Sequence, residues 1–227
     1  MLATMPRAVR RRVGTAALVT GVVLAAGGCG GIGQPAPYDS PGINGLVIPT
    51  PSPDPADFVD GVDNPWLPLQ PGATRTFRVT DDGAEVGSIE TTVLDATTDV
   101  DGLSATAVTT VTDIDGVTDE STRLYAQDSD GNIWLVGADT GGDGWRAGTD
   151  GAEAGLAMPA HPRLGDGWLA YAVPGLPEAA IRVEEQSRDM VRTRDEAGTA
   201  TLMTYASGAG LVGVEDLGSG WVATLVE

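Results

Sequence analysis

The sequence predicts an all-β protein in which an antiparallel meander curls into a curved sheet, a half-barrel or a barrel. Asp-Gly turns recur along the chain, and the runs between them are rich in threonine and valine. Asp-Gly between β-branched runs favours a tight hairpin, because both turn residues must accept a positive φ. The turns lie about 8 to 16 residues apart, which leaves no room for the crossover helices of a parallel sheet. The clearest examples are Asp82-Gly83, Asp101-Gly102, Asp115-Gly116, Asp130-Gly131 and Asp166-Gly167.

Composition limits both the size of the fold and the chemistry. A chain of 227 residues is long enough for one domain of ordinary size and a tail. Its 32 acidic and 13 basic residues give a formal charge of −19, so the surface should repel phosphate backbones, and we expect no nucleic-acid partner. The single cysteine and single histidine exclude an intramolecular disulfide, a multi-cysteine metal site and a paired-histidine zinc motif. We therefore expect neither a metal nor a cofactor.

Residues 1–28 are predicted to form a secretory signal peptide. Four arginines lie between positions 7 and 12, and residues 13–26, which follow, are uncharged. This is the order of the basic and apolar regions of a signal. As a helix, the uncharged stretch would cover roughly 21 Å, which is too short to cross a hydrocarbon core of about 30 Å. A permanent transmembrane span is therefore not expected here.

The end of this segment resembles the lipobox of bacterial lipoprotein signals. Ala26, Gly27 and Gly28 supply the apolar and small residues that the lipobox requires before its cysteine, Cys29. The resemblance implies acylation of the Cys29 thiol, cleavage of the Gly28–Cys29 bond and anchoring on the outer face of the bacterial cytoplasmic membrane. Two or three acyl chains would make that anchoring stable. The alternative is a signal peptide cut elsewhere, which would leave Cys29 as a free thiol.

Residues 29–56 are predicted to be a lipidated N-terminus followed by a disordered tether rich in proline and glycine. Seven of the fifteen prolines fall between positions 30 and 55. Because proline fixes φ and removes a hydrogen-bond donor, this composition disfavours helices and paired strands. The alternative is that Leu46-Val47-Ile48 docks on the folded part. A single β-rich domain is predicted from residue 57 to residue 227.

Within this domain the strands are placed by the runs between turns. Strands are predicted at residues 74–80, 86–94, 103–112 and 117–126, and again at 179–185, 199–205, 211–217 and 221–226. In residues 103–111 alternate positions share one face, although Val108 interrupts the polar face. Residues 187–197 fit either a strand or a short helix. Residues 139–162, with several glycines and Trp145, are predicted to form a long irregular connection.

Two segments of the sequence carry more specific information than its overall composition does. The first is Asp63-Asn64-Pro65-Trp66-Leu67-Pro68-Leu69-Gln70-Pro71-Gly72, and the second is Tyr125-Ala126-Gln127-Asp128-Ser129-Asp130-Gly131-Asn132-Ile133-Trp134. Together they resemble a family of exported bacterial proteins, many of them lipoproteins, for which no activity is established. The resemblance covers roughly residues 57–167. It implies export and a β-rich domain, and it supplies no chemistry.

Four tryptophans are candidates for contact with a ligand, namely Trp66, Trp134, Trp145 and Trp168. Each also has a structural interpretation. The prolines around Trp66 hold the chain extended, so the indole could plug the open end of a curled sheet. Trp134 is predicted to form a cross-strand aromatic pair with Tyr125 over the Asp130-Gly131 turn.

Catalytic and metal-binding patterns are weak in this sequence. Asp128-x-Asp130-Gly131-Asn132 has the acidic spacing of a calcium loop, but an EF-hand register would put Ala126 and Gly137 at ligand positions. Hairpin turns account for these residues better. His161 lies in a loop near Asp166, and such a pair could orient a serine, with Ser187 and Ser207 as the remote options. The sequence contains no Gly-x-Ser-x-Gly elbow.

The sequence therefore predicts a lipid-anchored cell-envelope protein with a non-enzymatic binding or structural β domain. Its partner would be a lipid, a glycan, a peptide or another envelope protein. The alternative is an extracellular hydrolase that uses scattered acidic residues and His161. A purely structural role, in which the domain docks on another envelope protein, is a third hypothesis.

Overall fold

The computed structural model describes Ile43 and residues 46–226. Gly28, Cys29, the predicted signal and most of the predicted tether lie outside the described residues. After a short 3-10 turn at Pro55–Asp57, the described chain is built almost entirely of β-strands. Their bounds are β1 Phe58–Val59, β2 Thr74–Asp81, β3 Ala84–Val100, β4 Leu103–Ile114, β5 Val117–Asp128, β6 Ile133–Thr140, β7 Asp143–Arg146, β8 Glu153–Met158, β9 Gly167–Leu169, β10 Tyr171–Ala172, β11 Ala180–Gln186, β12 Met190–Ala197, β13 Thr199–Ala206, β14 Gly210–Asp216 and β15 Val222–Leu225.

All fifteen of these strands belong to one antiparallel sheet that curls into a nearly closed barrel. The order around the barrel is β10, β8, β6, β5, β4, β3, β2, β15, β14, β13, β12, β11 and β9. Two short strands lie off this path, with β1 on β5 and β7 on β6. The antiparallel, barrel-like fold predicted from the turn spacing is thus confirmed.

The barrel closes where its two end strands follow each other in the chain. β9 pairs with β11 and β10 pairs with β8, and only Ala170 separates β9 from β10. The Trp168 indole donates a hydrogen bond to the Leu156 carbonyl at 2.9 Å, and the Ala170 amide donates to the Ala179 carbonyl at 2.8 Å. One short segment therefore contacts both edges of the sheet.

The hairpins use the turn residues that the sequence indicates. At Asp82, Asp101 and Asp115 the φ angles are 47°, 51° and 54°, and each following glycine also has a positive φ. Two consecutive residues with positive φ give the backbone twist that matches right-handed strands. These three Asp-Gly turns are the ones between β2 and β3, β3 and β4, and β4 and β5.

The predicted irregular connection at residues 139–162 is wrong, because it contains two strands, β7 and β8. β8 has the sequence Glu-Ala-Gly-Leu-Ala-Met, whose small residues lack the β-branched signature of β2 to β5. Residues 187–197, for which strand and helix were both open, contain strand β12. β3 runs to Val100, beyond its predicted end at residue 94, with a break in register between Val93 and Thr97.

The folded part begins before residue 57. Leu46 and Ile48 pack against the main core, and Thr50 forms a two-hydrogen-bond bridge with Ala154 at 2.9 and 2.8 Å. The alternative in which Leu46-Val47-Ile48 docks on the domain is therefore the one observed for Leu46 and Ile48, whereas Val47 is 77% exposed. Apolar burial outweighs the local preference of this proline-rich stretch for an unpaired chain.

Candidate functional site: a cavity inside the barrel

The interior of the barrel contains a cavity of about 500 Å³. Because side chains alternate across a strand, every second residue of β2 to β5 and of β11 to β14 points inward. The cavity is lined accordingly by Arg75 and Phe77, by Ile89, Thr91 and Val93, by Val108, Thr110 and Thr112, by Ser121, Arg123 and Tyr125, and by Ile181, Asp195, Thr201, Met203, Tyr205 and Leu211. Its volume falls within the range of about 300–1,000 Å³ that is usual for small-molecule sites.

The segment between β1 and β2 closes one end of this cavity. Leu67, Pro68 and Leu69 contribute to its lining. We call these three residues the plug. Just before it, the Pro65 carbonyl accepts a hydrogen bond from the Gly208 amide at 2.7 Å, which ties the plug to the turn between β13 and β14.

Asn64 fixes the same segment to the other side of the barrel end. Its Nδ2 donates to the carbonyls of Gly131 at 2.8 Å and Pro159 at 3.2 Å, and its Oδ1 accepts from the Trp66 amide at 2.8 Å. The Gln127 Oε1 accepts from the amides of Asp63 and Asn64, both at 2.9 Å. Residues 63–72 and 125–134, the two segments singled out in the sequence, are therefore bonded directly to each other.

The opposite end of the cavity lies among the hairpin turns. Thr112 is near the β4–β5 turn, Thr199 directly follows the β12–β13 turn, and Trp221 follows the β14–β15 turn. Thr199 is exposed, so the cavity reaches solvent at this end.

The centre of the cavity contains charged side chains from opposite halves of the barrel. Arg123 extends from β5 and remains accessible from the cavity, although the barrel wall surrounds it. Attraction to the Tyr125 phenol raises the pKa of Arg123, and burial opposes this rise. Asp195 extends from β12 and accepts a hydrogen bond from the Thr193 hydroxyl at 2.7 Å. Burial raises the pKa of Asp195 to about 6, against the opposing effects of Thr193 and Arg123.

Two tyrosines complete this central group. Tyr125 is next to Arg123 on the inward face of β5, and Tyr205 comes from β13. Burial raises the pKa of Tyr205 well above its usual range, and the negative charge of Asp195 adds to the rise. The Tyr205 hydroxyl therefore stays protonated and is a hydrogen-bond donor, at present to the Met203 sulfur at 3.2 Å.

The four tryptophans singled out from the sequence do not line the cavity; Trp221 does. Trp66 and Trp168 are buried in the core, and the half-buried Trp145 packs its ring against Tyr171 with 5.5 Å between centroids. Trp134 is 5% exposed and packs on Phe58 with 6.1 Å between ring centroids.

The predicted pairing of Trp134 with Tyr125 is wrong. A register shift between Leu124 and Tyr125 puts Tyr125 opposite Leu135, while Trp134 is opposite Ala126. Tyr125 therefore faces the cavity, whereas Trp134 packs beside Phe58 of β1.

The acidic turn after β5 is a hydrogen-bonded hairpin loop. The Asp128 carboxylate is buried and accepts hydrogen bonds from the amides of Asp130 and Asn132, from the Asn132 side chain and from the Trp134 indole, at 2.8–3.2 Å. These donors occupy both carboxylate oxygens. Within the part of the chain that the structure describes, no group of three or more His, Cys, Asp or Glu side chains is placed to hold a metal ion.

His161 is exposed on the loop between β8 and β9. The carboxylate of Asp166 accepts a hydrogen bond from the Arg163 amide at 2.9 Å. Ser187 and Ser207 are exposed near the turns that flank β12 and β13. None of these four residues lines the cavity.

Sequence reasoning missed Arg123 and Asp195. The sequence did contain a signal for Arg123. This residue alternates with Ser121 and Tyr125 on one face of β5, and Tyr125 is buried, so this face points inward. Asp195 had none, since acidic residues are common in this chain and its neighbours are charged as well. Only the closure of the barrel brings β5 and β12 to face each other.

Comparison with known proteins finds no matching family model, no matching curated protein and no matching solved structure. Over Ile43 and residues 46–226, no helix has the length and apolar character needed to cross a bilayer.

Proposed function

We propose that this chain is an exported, lipid-anchored envelope protein whose barrel binds a small, largely apolar molecule without chemical conversion. The observation that carries the proposal is the cavity of about 500 Å³ inside the barrel. Protein interiors are normally close-packed, with few voids larger than a water molecule. A cavity of this size, with mostly apolar walls and a few convergent polar groups, is typical of a binding site.

The arrangement of the barrel supports binding over a purely structural role. The plug closes one end of the cavity, and the other end reaches solvent at Thr199. A ligand could therefore enter between the hairpin turns without opening the sheet. Anchoring through Cys29, proposed from the lipobox resemblance, would hold this domain at the outer face of the cytoplasmic membrane.

Native mass spectrometry of the full-length chain from its own type of host tests the binding proposal. We expect a non-covalent mass that is lost on denaturation, and we expect Ser121→Trp to reduce its occupancy at least tenfold, because the indole would fill the cavity. Glu120→Trp is the matched control, since Glu120 is the next residue on β5 and is exposed outside. A bound mass that persists unchanged in Ser121→Trp would contradict the proposed site.

A fractionation experiment tests the anchor. The wild-type chain should be found in the membrane fraction and should incorporate labelled palmitate, whereas Cys29→Ser should do neither, because serine cannot form the thioether. Ser40→Ala, a change in the predicted tether, is the control. Membrane retention of Cys29→Ser would rule out the anchor while leaving the cavity proposal standing.

A further inference from the structure

Arg123 is a cation in the cavity, and no carboxylate among the described residues forms an ion pair with it. The described ion pairs place Arg78, Arg146 and Arg192 within 2.8–3.6 Å of carboxylate oxygens, and none involves Arg123. In a chain with 32 acidic and 13 basic residues, an interior arginine left in this way is unusual. Arg123 is exposed toward the cavity, so an anion that enters there can reach its guanidinium and pair with it.

Side chains that lie opposite one another on β3, β4 and β5 form rows across the cavity wall. The rows on either side of Arg123 differ in polarity. Arg123 shares a row with Val108 and Val93. The next row toward the hairpin turns contains the hydroxyl groups of Ser121, Thr110 and Thr91, and its member on β2 is Arg75. Toward the plug, Tyr125 is paired with Leu135. Three hydroxyl groups therefore lie beside Arg123 on the side of the hairpin turns, and Leu135 lies on the side of the plug.

The acidic residues of the cavity do not neutralise this cation. Glu196 is engaged by the Arg194 Nε at 2.7 Å. Asp195 acts on Arg123 only at longer range, because no oxygen of Asp195 lies within the 4 Å of an ion pair. Arg75, a second lining cation, donates a hydrogen bond to the Ala209 carbonyl at the plug end.

From this arrangement we infer that the cavity binds a molecule with an anionic acid group on an apolar chain. The acid group contacts Arg123 and the neighbouring hydroxyl row, and the chain extends toward the plug. The inference rests on the proposed function, since it names the ligand class of the same cavity. A carboxylate and a phosphate both satisfy it, because a guanidinium can bind either with two parallel hydrogen bonds.

Calorimetric titration of the full-length chain tests the inference, with Cys29→Ser as background so that no acyl group competes. The probes are decanoate, decyl phosphate and decanol, which share one chain and differ in the head group. We expect the preferred acid to bind about 10- to 100-fold more tightly than decanol, the usual effect of a hydrogen bond to a charged group. Which of the two acids binds more tightly identifies the source of the head group.

Substitutions assign that preference to one residue. Arg123→Met should reduce the ratio of acid affinity to alcohol affinity to about threefold or less, because methionine keeps an apolar stem and loses the charge. Arg123→Lys should retain part of the preference, and it tests the charge if Arg123→Met fails to fold. Asp195→Asn should strengthen acid binding, because it removes the negative charge across the barrel.

The outcomes separate the two proposals. Equal binding of acid and alcohol, or an acid preference that survives in Arg123→Met, would overturn the assignment of an anionic ligand and leave the binding function standing. If none of the three probes binds and no mass co-purifies with the chain, both proposals fail. Loss of the acid preference in Arg123→Met, with part of that preference retained in Arg123→Lys, supports both.

Discussion

Replacement of Asp128 with alanine should lower the free energy of unfolding by at least about 3 kcal/mol. The buried carboxylate accepts hydrogen bonds from two backbone amides, the Asn132 side chain and the Trp134 indole. Alanine would leave these donors without an acceptor, and each buried unsatisfied donor costs about 1–3 kcal/mol. For a domain of this size we expect the melting temperature to fall by roughly 6–12 °C. Urea unfolding followed by tryptophan fluorescence measures the change.

Two further variants separate the contribution of these hydrogen bonds to stability from that of the negative charge and from that of the turn itself. Asp130→Ala is the control, because Asp130 is exposed in the same turn and only its backbone amide joins the network. Asp128→Asn should lose about half as much stability as Asp128→Ala, since the amide keeps one acceptor and turns a donor toward the others. Equal stability of Asp128→Ala and Asp130→Ala would show that the network contributes nothing.

The strands that could be predicted are those delimited by turn chemistry. Asp82, Asp101 and Asp115 all adopt the positive φ that the following glycine indicates, so the β2 to β5 meander follows from the sequence. β8 could not be predicted, because its position between β6 and β10 is set by contacts between distant parts of the chain. Its small residues are typical of a loop, and only its pairing with β6 and β10 identifies it as a strand.

The candidate site was harder to predict than the fold, for a reason that Tyr125 illustrates. Its alternation with Arg123 places both on one face of β5, but alternation does not say which face is inside. The register shift next to Tyr125 then decides that it faces Leu135 and not Trp134. The four tryptophans predicted as ligand contacts therefore lie outside the cavity lining, whose charged residues include Arg123 and Asp195.

The closure of the barrel depends on a close approach of two backbones at Gly155. A Cβ atom built on Gly155 would lie 2.2 Å from the Leu169 carbonyl oxygen and 2.6 Å from the Ala170 carbonyl carbon. Both are backbone atoms, so no side-chain rotation can relieve the clash. The φ of Gly155 is not positive, so this glycine is required for space and not for backbone conformation.

Gly155→Ala should therefore destabilise the protein by about 2–3 kcal/mol, at the upper end of overpacking effects. The expected loss is local, because the segment that links β9 to β10 must move away from β8. Hydrogen exchange should accelerate at the Ala170 amide, which bonds to the Ala179 carbonyl at 2.8 Å, before it changes in β3 or β4.

Gly213→Ala provides the matched control for this close approach. Gly213 also lies within a strand, β14, and its added Cβ would meet Ala223 at an ordinary contact distance of 3.6 Å. Alanine there should be neutral or slightly stabilising, because it restricts the unfolded chain without straining the folded one. If Gly155→Ala is as stable as Gly213→Ala, the segment between β9 and β10 does not press on β8. The closure would then rest on the pairing of β9 with β11 and of β10 with β8 and on the hydrogen bonds of Trp168 and Ala170, and Trp168→Phe would test the contribution of the indole.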